Sequence, residues 1–227
     1  MLFRSPTIIL ALGRPVFDDP TDAAIATEKG AAAAWSRALS KGDASAALRR
    51  VAGDFALAWR DAQGRTLLAI DRFAVRTLCW RIDGGQLRFA ERADDLAGTS
   101  AALDLQAIFD YLYFHAIPSP RTAFEGVFRL PPGSCLVFDA GRATVTPYWV
   151  PAFSPPTGNV SFDALADEFR ALVRSAVARQ LDSSVPACFL SGGTDSSTIT
   201  GMIREVTGKP AQSWSIGFQA DGYDEMA

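Results

Sequence analysis

The chain has 227 residues, 48% of them hydrophobic and 21% charged, and a net charge of −3. That length holds one large or two modest domains, and the composition is globular, without the basic footprint that nucleic acid requires. Three scattered cysteines, Cys79, Cys135 and Cys188, show neither metal-ligand spacing nor a disulfide framework, and a single histidine, His115, removes most His-based metal and triad chemistry. No apolar run is long enough to cross a bilayer, and residues 1–6 lack the features of a secretory signal, so a cytoplasmic protein without a membrane partner is expected.

Residues 8–12 form an apolar strand candidate, stopped by Gly13 and Pro15. Asp18, Asp19, Pro20 and Thr21 signal a turn and a helix start. The Ala-rich stretch 23–39 predicts helix, broken near Gly30, and 44–51 a second short helix. From Gly53 the pattern changes. Phe55, Leu57 and Trp59 alternate with smaller residues, as in a half-buried strand, and residues 66–70 return after the turn at 61–64. Residues 77–82 and 86–90 form another hairpin around Asp83, Gly84 and Gly85. Hairpins combined with helices predict an α+β layered domain.

Asp71 and Arg72 are expected to form an ion pair at a hairpin end. Residues 105–115 predict a helix with Ile108, Phe109, Leu112 and Tyr113 on its inner face. His115 closes that helix, and Phe109, Tyr111, Tyr113, Phe114 and Phe128 are expected in the core. The Pro/Gly-rich stretch 151–159 reads as a linker between a first domain, 1–150, and a second segment, 160–227. There, Ser161 is a helix cap, and Phe162, Leu165, Phe169, Leu172, Val173, Ala176 and Val177 share one helical stripe. Arg170, Arg174 and Arg179 lie elsewhere on that helix, on a face expected to be solvated.

The chemistry concentrates at residues 185–206. Residues 185–190 have the length of a buried strand, and Ile199, Met202, Ile203 and Val206 recur at helical spacing. Between them, Ser191, Gly192, Gly193, Thr194, Asp195, Ser196 and Ser197 form a tight strand-to-helix turn. Glycines let a ligand approach closely, and the amides of such a turn join the first free N–H groups of the helix in attracting an anion. Ser191, Ser196 and Ser197 add hydroxyl donors. Asp195 would repel bare phosphate, so it implies Mg²⁺ as a bridge. The Walker A pattern is absent, because no Lys follows the glycines. Residues 212–218 supply a second strand, completing a β-α-β unit with parallel strands.

The run Ser191-Gly192-Gly193-Thr194-Asp195-Ser196-Ser197 resembles the pyrophosphate loop of ATP pyrophosphatases that adenylate a substrate, among them asparagine synthetases, β-lactam synthetases and GMP synthetases. A second resemblance covers most of the first segment. Gly53 to Trp59, then Asp71-Arg72-Phe73, Leu87 to Glu91, Phe128 to Gly133, and Pro147-Tyr148-Trp149 are similar, in the same order, to the glutaminase-type N-terminal domain of asparagine synthetases. That resemblance implies an Ntn-type domain of layered sheets, followed by the start of a parallel-sheet ATP-pyrophosphatase domain. It further implies ATP and Mg²⁺ as cofactors, with Asp195 holding the metal and Phe189 and Ile216 meeting the adenosine through their backbones. The family's N-terminal nucleophilic cysteine has no counterpart, since position 2 is Leu2, and neither has its Asn-Gly-Glu stretch. The expectation is therefore the glutaminase fold without glutaminase activity. The implied reaction is ATP-dependent amide formation through an acyl-adenylate, joining a small-molecule or peptide carboxylate to an amine or ammonia. The related β-lactam synthetases and lasso-peptide cyclases make intramolecular cyclisation the alternative, and a non-catalytic nucleotide-binding remnant is a third reading. A homodimer is compatible with the family. Asp221, Asp224 and Glu225 are expected to form a charged loop and helix start, with an approach to the metal as the alternative, and the resemblance implies further synthetase chain beyond Ala227.

Overall fold

The computed structural model describes residues 6–99, 101–155 and 158–217. The chain divides into two compact units, 1–152 and 153–227.

In the first unit, β1 (Thr7–Phe17) is followed by three helices, α1 (Pro20–Lys29), α2 (Ala31–Ser40) and α3 (Ala44–Arg49). Strands β2 (Val51–Arg60) and β3 (Thr66–Ile70) form a hairpin, as do β4 (Cys79–Asp83) and β5 (Gln86–Ala90). Short α4 (Asp94–Ala97) and α5 (Leu105–Phe114) precede β6 (Phe128–Arg129), β7 (Ser134–Asp139) and β8 (Arg142–Pro147). One sheet has the order β1-β2-β3-β7-β8 and another the order β5-β4-β6, with every pairing antiparallel.

The three N-terminal helices cover one face of the five-stranded sheet. Trp35 is fully buried there, edge-on to Phe17 at 5.1 Å between ring centroids and tilted against Phe55 at 5.0 Å. Its hydrophobic neighbours include Leu39, Leu48, Val51 and Leu57. The opposite face packs on the three-stranded sheet through Ala56, Ala58, Leu68, Ile70 and Leu136, meeting Leu78 and Leu130. Strand β2 is thus buried on both faces instead of one. The small residues that suggested a solvent side, Ala56 and Ala58, instead let the second sheet approach closely.

Strand β1 runs through Gly13 and Pro15, contrary to the expected stop. Gly13 and Gly53 both have positive φ, +87° and +78°, where the two strands approach. A Cβ on Gly13 would lie 2.2 Å from the Asp54 carbonyl oxygen. Pro15 is tolerated because β1 is an edge strand, where a missing N–H breaks no ladder on the outer side. Val51, expected to end a helix, instead opens β2.

Two further expectations are corrected. Asp71 and Arg72 do not pair. Asp71 is buried and accepts from the N–H groups of Phe55, Phe73, Val75 and Arg76 at 2.9–3.3 Å, while Arg72 Nη2 donates to the Arg49 carbonyl at 2.9 Å. The aromatic residues of α5 are not core. Phe109, Leu112, Tyr113 and Phe114 are exposed, Tyr111 and Phe128 are also exposed, and only Ala107 of this helix is buried. The helix docks by its first turn, where Asp104 caps Ala107 N–H and pairs with Arg121 at 2.9 Å. A contact made at one end cannot bury a whole stripe. His115 follows in the left-handed region, at φ +55°.

The second unit contains α6 (Phe162–Gln180), β9 (Ala187–Phe189), α7 (Thr194–Thr207) and β10 (Gln212–Trp214). Strands β9 and β10 are parallel neighbours, joined through α7, as the β-α-β pattern predicts. The apolar stripe of α6 is another correction. Only Val177 is buried, while Phe162, Leu165, Phe169 and Leu172 are exposed, because two strands and one helix offer too little surface to cover it. Arg170 pairs with Asp167 at 3.0 Å and Arg179 Nη1 donates to Ser175 Oγ, both on an exposed face. Phe218, Asp221, Asp224 and Glu225 lie outside the described residues. No helix among the described residues is long and apolar enough to cross a membrane.

Candidate functional site: the turn between β9 and α7

The turn is anchored at its base by β10. Leu190 N–H donates to the Trp214 carbonyl at 2.9 Å, and Ser215 Oγ donates to the Leu190 carbonyl at 2.7 Å. Ser215 is a contributor that the sequence reading missed. Its only signal was a polar residue directly after a strand. Beyond Leu190 the chain reverses through Gly192, at φ +81°, where a side chain would be strained. Gly193 is the N-cap of α7, with φ −72° and ψ 160°, and Ser197 N–H donates to its carbonyl at 3.2 Å.

A Ser or Asp at an N-cap accepts from the second or third helical N–H. Ser161 does so for α6, accepting from Ala164 N–H at 3.2 Å. Gly193 has no side chain to do this, so the first turn of α7 is uncapped. The N–H groups of Gly192, Gly193, Thr194 and Asp195 donate to no partner among the described residues, and residues 191–195 are exposed. These four unpaired donors lie at and just before the N-terminal, positive end of a 14-residue helix. The arrangement fits an anion.

The side chains differ in what they can offer. Ser196 Oγ donates to the Gly193 carbonyl at 3.2 Å, accepts from Ser191 N–H at 3.3 Å, and lies 3.2 Å from Ser191 Oγ. Ser197 is exposed and its hydroxyl has no partner among the described residues. Asp195 sits in the first turn, exposed and outside any ion pair among those residues. Its carboxylate is open to a cation lying over the turn. No group of three or more His, Cys, Asp or Glu gathers as a preformed metal cluster among the described residues. Phe189 and Ile216 flank the turn on the two parallel strands' ends and are both largely exposed.

The cysteines lie elsewhere. Cys79 and Cys135 are buried in β4 and β7, and burial pushes both thiols up, away from the thiolate form. Cys188 is half-buried in β9.

A layered α+β domain of the glutamine amidotransferase type, followed by the strand–turn–helix of a parallel α/β unit, defines the class. A family model described as a glutamine amidotransferase domain matches residues 37–149, and one described as asparagine synthase matches residues 168–227. The chain belongs to the asparagine synthetase family. It is 30% identical over 162 residues to asparagine synthetase (glutamine-hydrolysing) 1 of Bacillus subtilis, covering 70% of this chain and 25% of the relative. It is 30% identical over 177 residues to asparagine synthetase (glutamine-hydrolysing) 3 of the same organism, covering 74% and 28%. The chain spans a third or less of the length of the curated relatives it matches. Among solved structures, the glutamine phosphoribosylpyrophosphate amidotransferase of B. subtilis overlays on 89% of this chain and 45% of its own, at 14% identity and a TM-score of 0.38.

Proposed function

We propose that the turn at residues 191–197 binds the pyrophosphate portion of ATP and that the chain belongs to an enzyme forming amides through an acyl-adenylate. The observation that supports this most directly is the uncapped, solvent-facing turn with four unpaired N–H donors, inside the stretch that matches the asparagine synthase model. In this reading a substrate carboxylate attacks the α-phosphorus of ATP, and the bond to the β-phosphate oxygen breaks. The leaving pyrophosphate gains charge, and fixed N–H dipoles stabilise such charge without reorganising. An amine or ammonia then attacks the acyl carbon, AMP departs, and the amine's proton passes to solvent. Asp195 would hold Mg²⁺, which would offset charge on the phosphates, and the chain at the exposed Phe189 and Ile216 would meet the adenosine.

The first unit serves here as a glutaminase-type fold without glutaminase chemistry. That reading is supported by the raised thiols of Cys79 and Cys135, neither of which is poised as a nucleophile. Ammonia or an amine from another source is then the nitrogen donor, and glutamate release on incubation with glutamine would contradict this part.

The test is binding of Mg²⁺ with ATP, and of Mg²⁺ with pyrophosphate, to the 227-residue chain by calorimetry. Asp195→Ala should weaken both by about tenfold or more, since it removes a direct metal ligand. Equal affinity in the variant would remove Asp195 from the site. Release of AMP in the presence of aspartate and ammonia would extend the reading to catalysis.

A further inference from the structure

We infer that the groove beside the end of β8 binds a small apolar carboxylate, anchored by Arg72. The groove lies within the first unit and is independent of the pyrophosphate reading. It holds about 560 Å³, within the range of small-ligand sites. Its walls are Phe73, Pro131, Pro132, Val145, Pro147 and Trp149. Phe73 stands edge-on to Trp149, at 5.4 Å between ring centroids. The prolines bring rigid apolar surface and no N–H donor. Ser134, also in the lining, donates its hydroxyl to the Pro132 carbonyl at 3.3 Å. Among the described residues, Arg72 is the one charged side chain that lines the groove.

The Arg72 guanidinium is held in place but not neutralised. Its Nη2 donates to the Arg49 carbonyl at 2.9 Å, and its central carbon lies 5.8 Å from the centroid of the Trp149 ring. Its neighbour Asp71 is turned into backbone amides. No carboxylate pairs with Arg72 among the described residues, and its Nε is buried without a hydrogen-bond partner. A half-buried cation without a counter-charge is costly, and the two oxygens of a carboxylate match the guanidinium fork. The charge selects a single anion. The walls select an apolar body, best an aromatic ring that can meet Phe73 and Trp149. A stable protein partner would need roughly 800 Å² of surface on each side with a polar rim, and one charge in an apolar trough does not supply that.

The test uses hydrocinnamate, its uncharged amide, and the indole N–H signal of Trp149 in NMR spectra of the 227-residue chain. Hydrocinnamate should shift that signal saturably. The amide has the same shape without the charge and should bind about tenfold more weakly, the share of a charge-assisted contact. Arg72→Gln should erase the preference, and Arg72→Lys should keep part of it. Val145→Trp fills the groove while leaving Arg72 unaltered, and should abolish binding of both compounds with a melting temperature near the parent's. If Arg72→Gln does not fold, the comparison of acid with amide and the Val145→Trp variant still decide. Equal affinity for acid and amide, no saturable shift at Trp149, or undiminished binding in Val145→Trp overturns the site. A Trp149 signal that moves on dilution and ignores hydrocinnamate makes a second copy of the chain the occupant, and also overturns it.

Discussion

Replacing Asp71 should cost the first unit more stability than its position in a surface connection suggests. The residue follows β3 and is 1% exposed. One carboxylate oxygen accepts from Phe73 and Val75 N–H at 3.0 Å each, and the other from Phe55 N–H at 3.3 Å and Arg76 N–H at 2.9 Å. Asp71→Ala removes acceptors from four amides at once. The Phe55 amide is buried and loses about 1–3 kcal/mol when orphaned. The three loop amides lie beside exposed Phe73 and Val75, so water recovers part of their loss. The expected total is roughly 3–5 kcal/mol, at the upper end for single substitutions. Asp71→Asn is the sharper test. It preserves shape but puts an NH₂ against two N–H donors, and should cost about half as much, ~1.5–2.5 kcal/mol. Urea unfolding followed by tryptophan fluorescence measures both. An Asn variant as stable as the parent, or an Ala variant within 1 kcal/mol of it, would refute the account of Asp71 as the acceptor hub of this loop.

Gly13→Ala should destabilise β1 by more than the ~1–2 kcal/mol of left-handed strain alone, because its Cβ would overlap the Asp54 carbonyl, whereas Gly141→Ala, at φ +83° in open space, should cost only the strain; parallel urea curves decide. Acid should loosen the α1–α2 pair. The Asp22 N–H, and then Lys41, hold the Asp19 carboxyl far below its ordinary value of 3.8, so its stabilising share is complete above that value and is lost as pH falls toward the depressed folded one. Lys41 is shifted the opposite way, upward from 10.5, chiefly by Asp22, so its share is complete below 10.5 and is lost only as pH rises through its folded value. Asp19→Asn should flatten the acid limb of a stability–pH profile and, because Lys41 also pairs with Asp19 at 3.1 Å, shrink the alkaline limb while Asp22 sustains the rest of it; an unaltered acid limb would contradict the assignment. Among the thiols, Cys188 should be alkylated first at neutral pH, with Cys79 and Cys135 protected until unfolding; mass spectrometry of a timed iodoacetamide reaction reports the order.

Local patterns settled much of this protein without its fold. The hairpin turns at Gly64 and at Gly84-Gly85, the helix caps at Asp19 and Ser161, and the parallel strands around residues 191–197 follow from glycine torsions, capping oxygens and hydrophobic periods, all of which act over a few residues. The chain's order of motifs also sufficed for its family. What neighbours decide was illegible. Ala56 and Ala58 look like a solvent face until a second sheet packs on them, and Phe109 and Leu112 look like core until their helix docks by one end only. Asp71 reads as half of an ion pair because its neighbour in sequence is Arg72, yet the backbone around it supplies four nearer donors. The division among Ser191, Ser196 and Ser197 is of the same kind. Sequence marks three hydroxyls, and only the path of the turn determines which two face each other and which is left open to solvent, because a hydrogen bond depends on distance and direction that spacing along the chain does not carry.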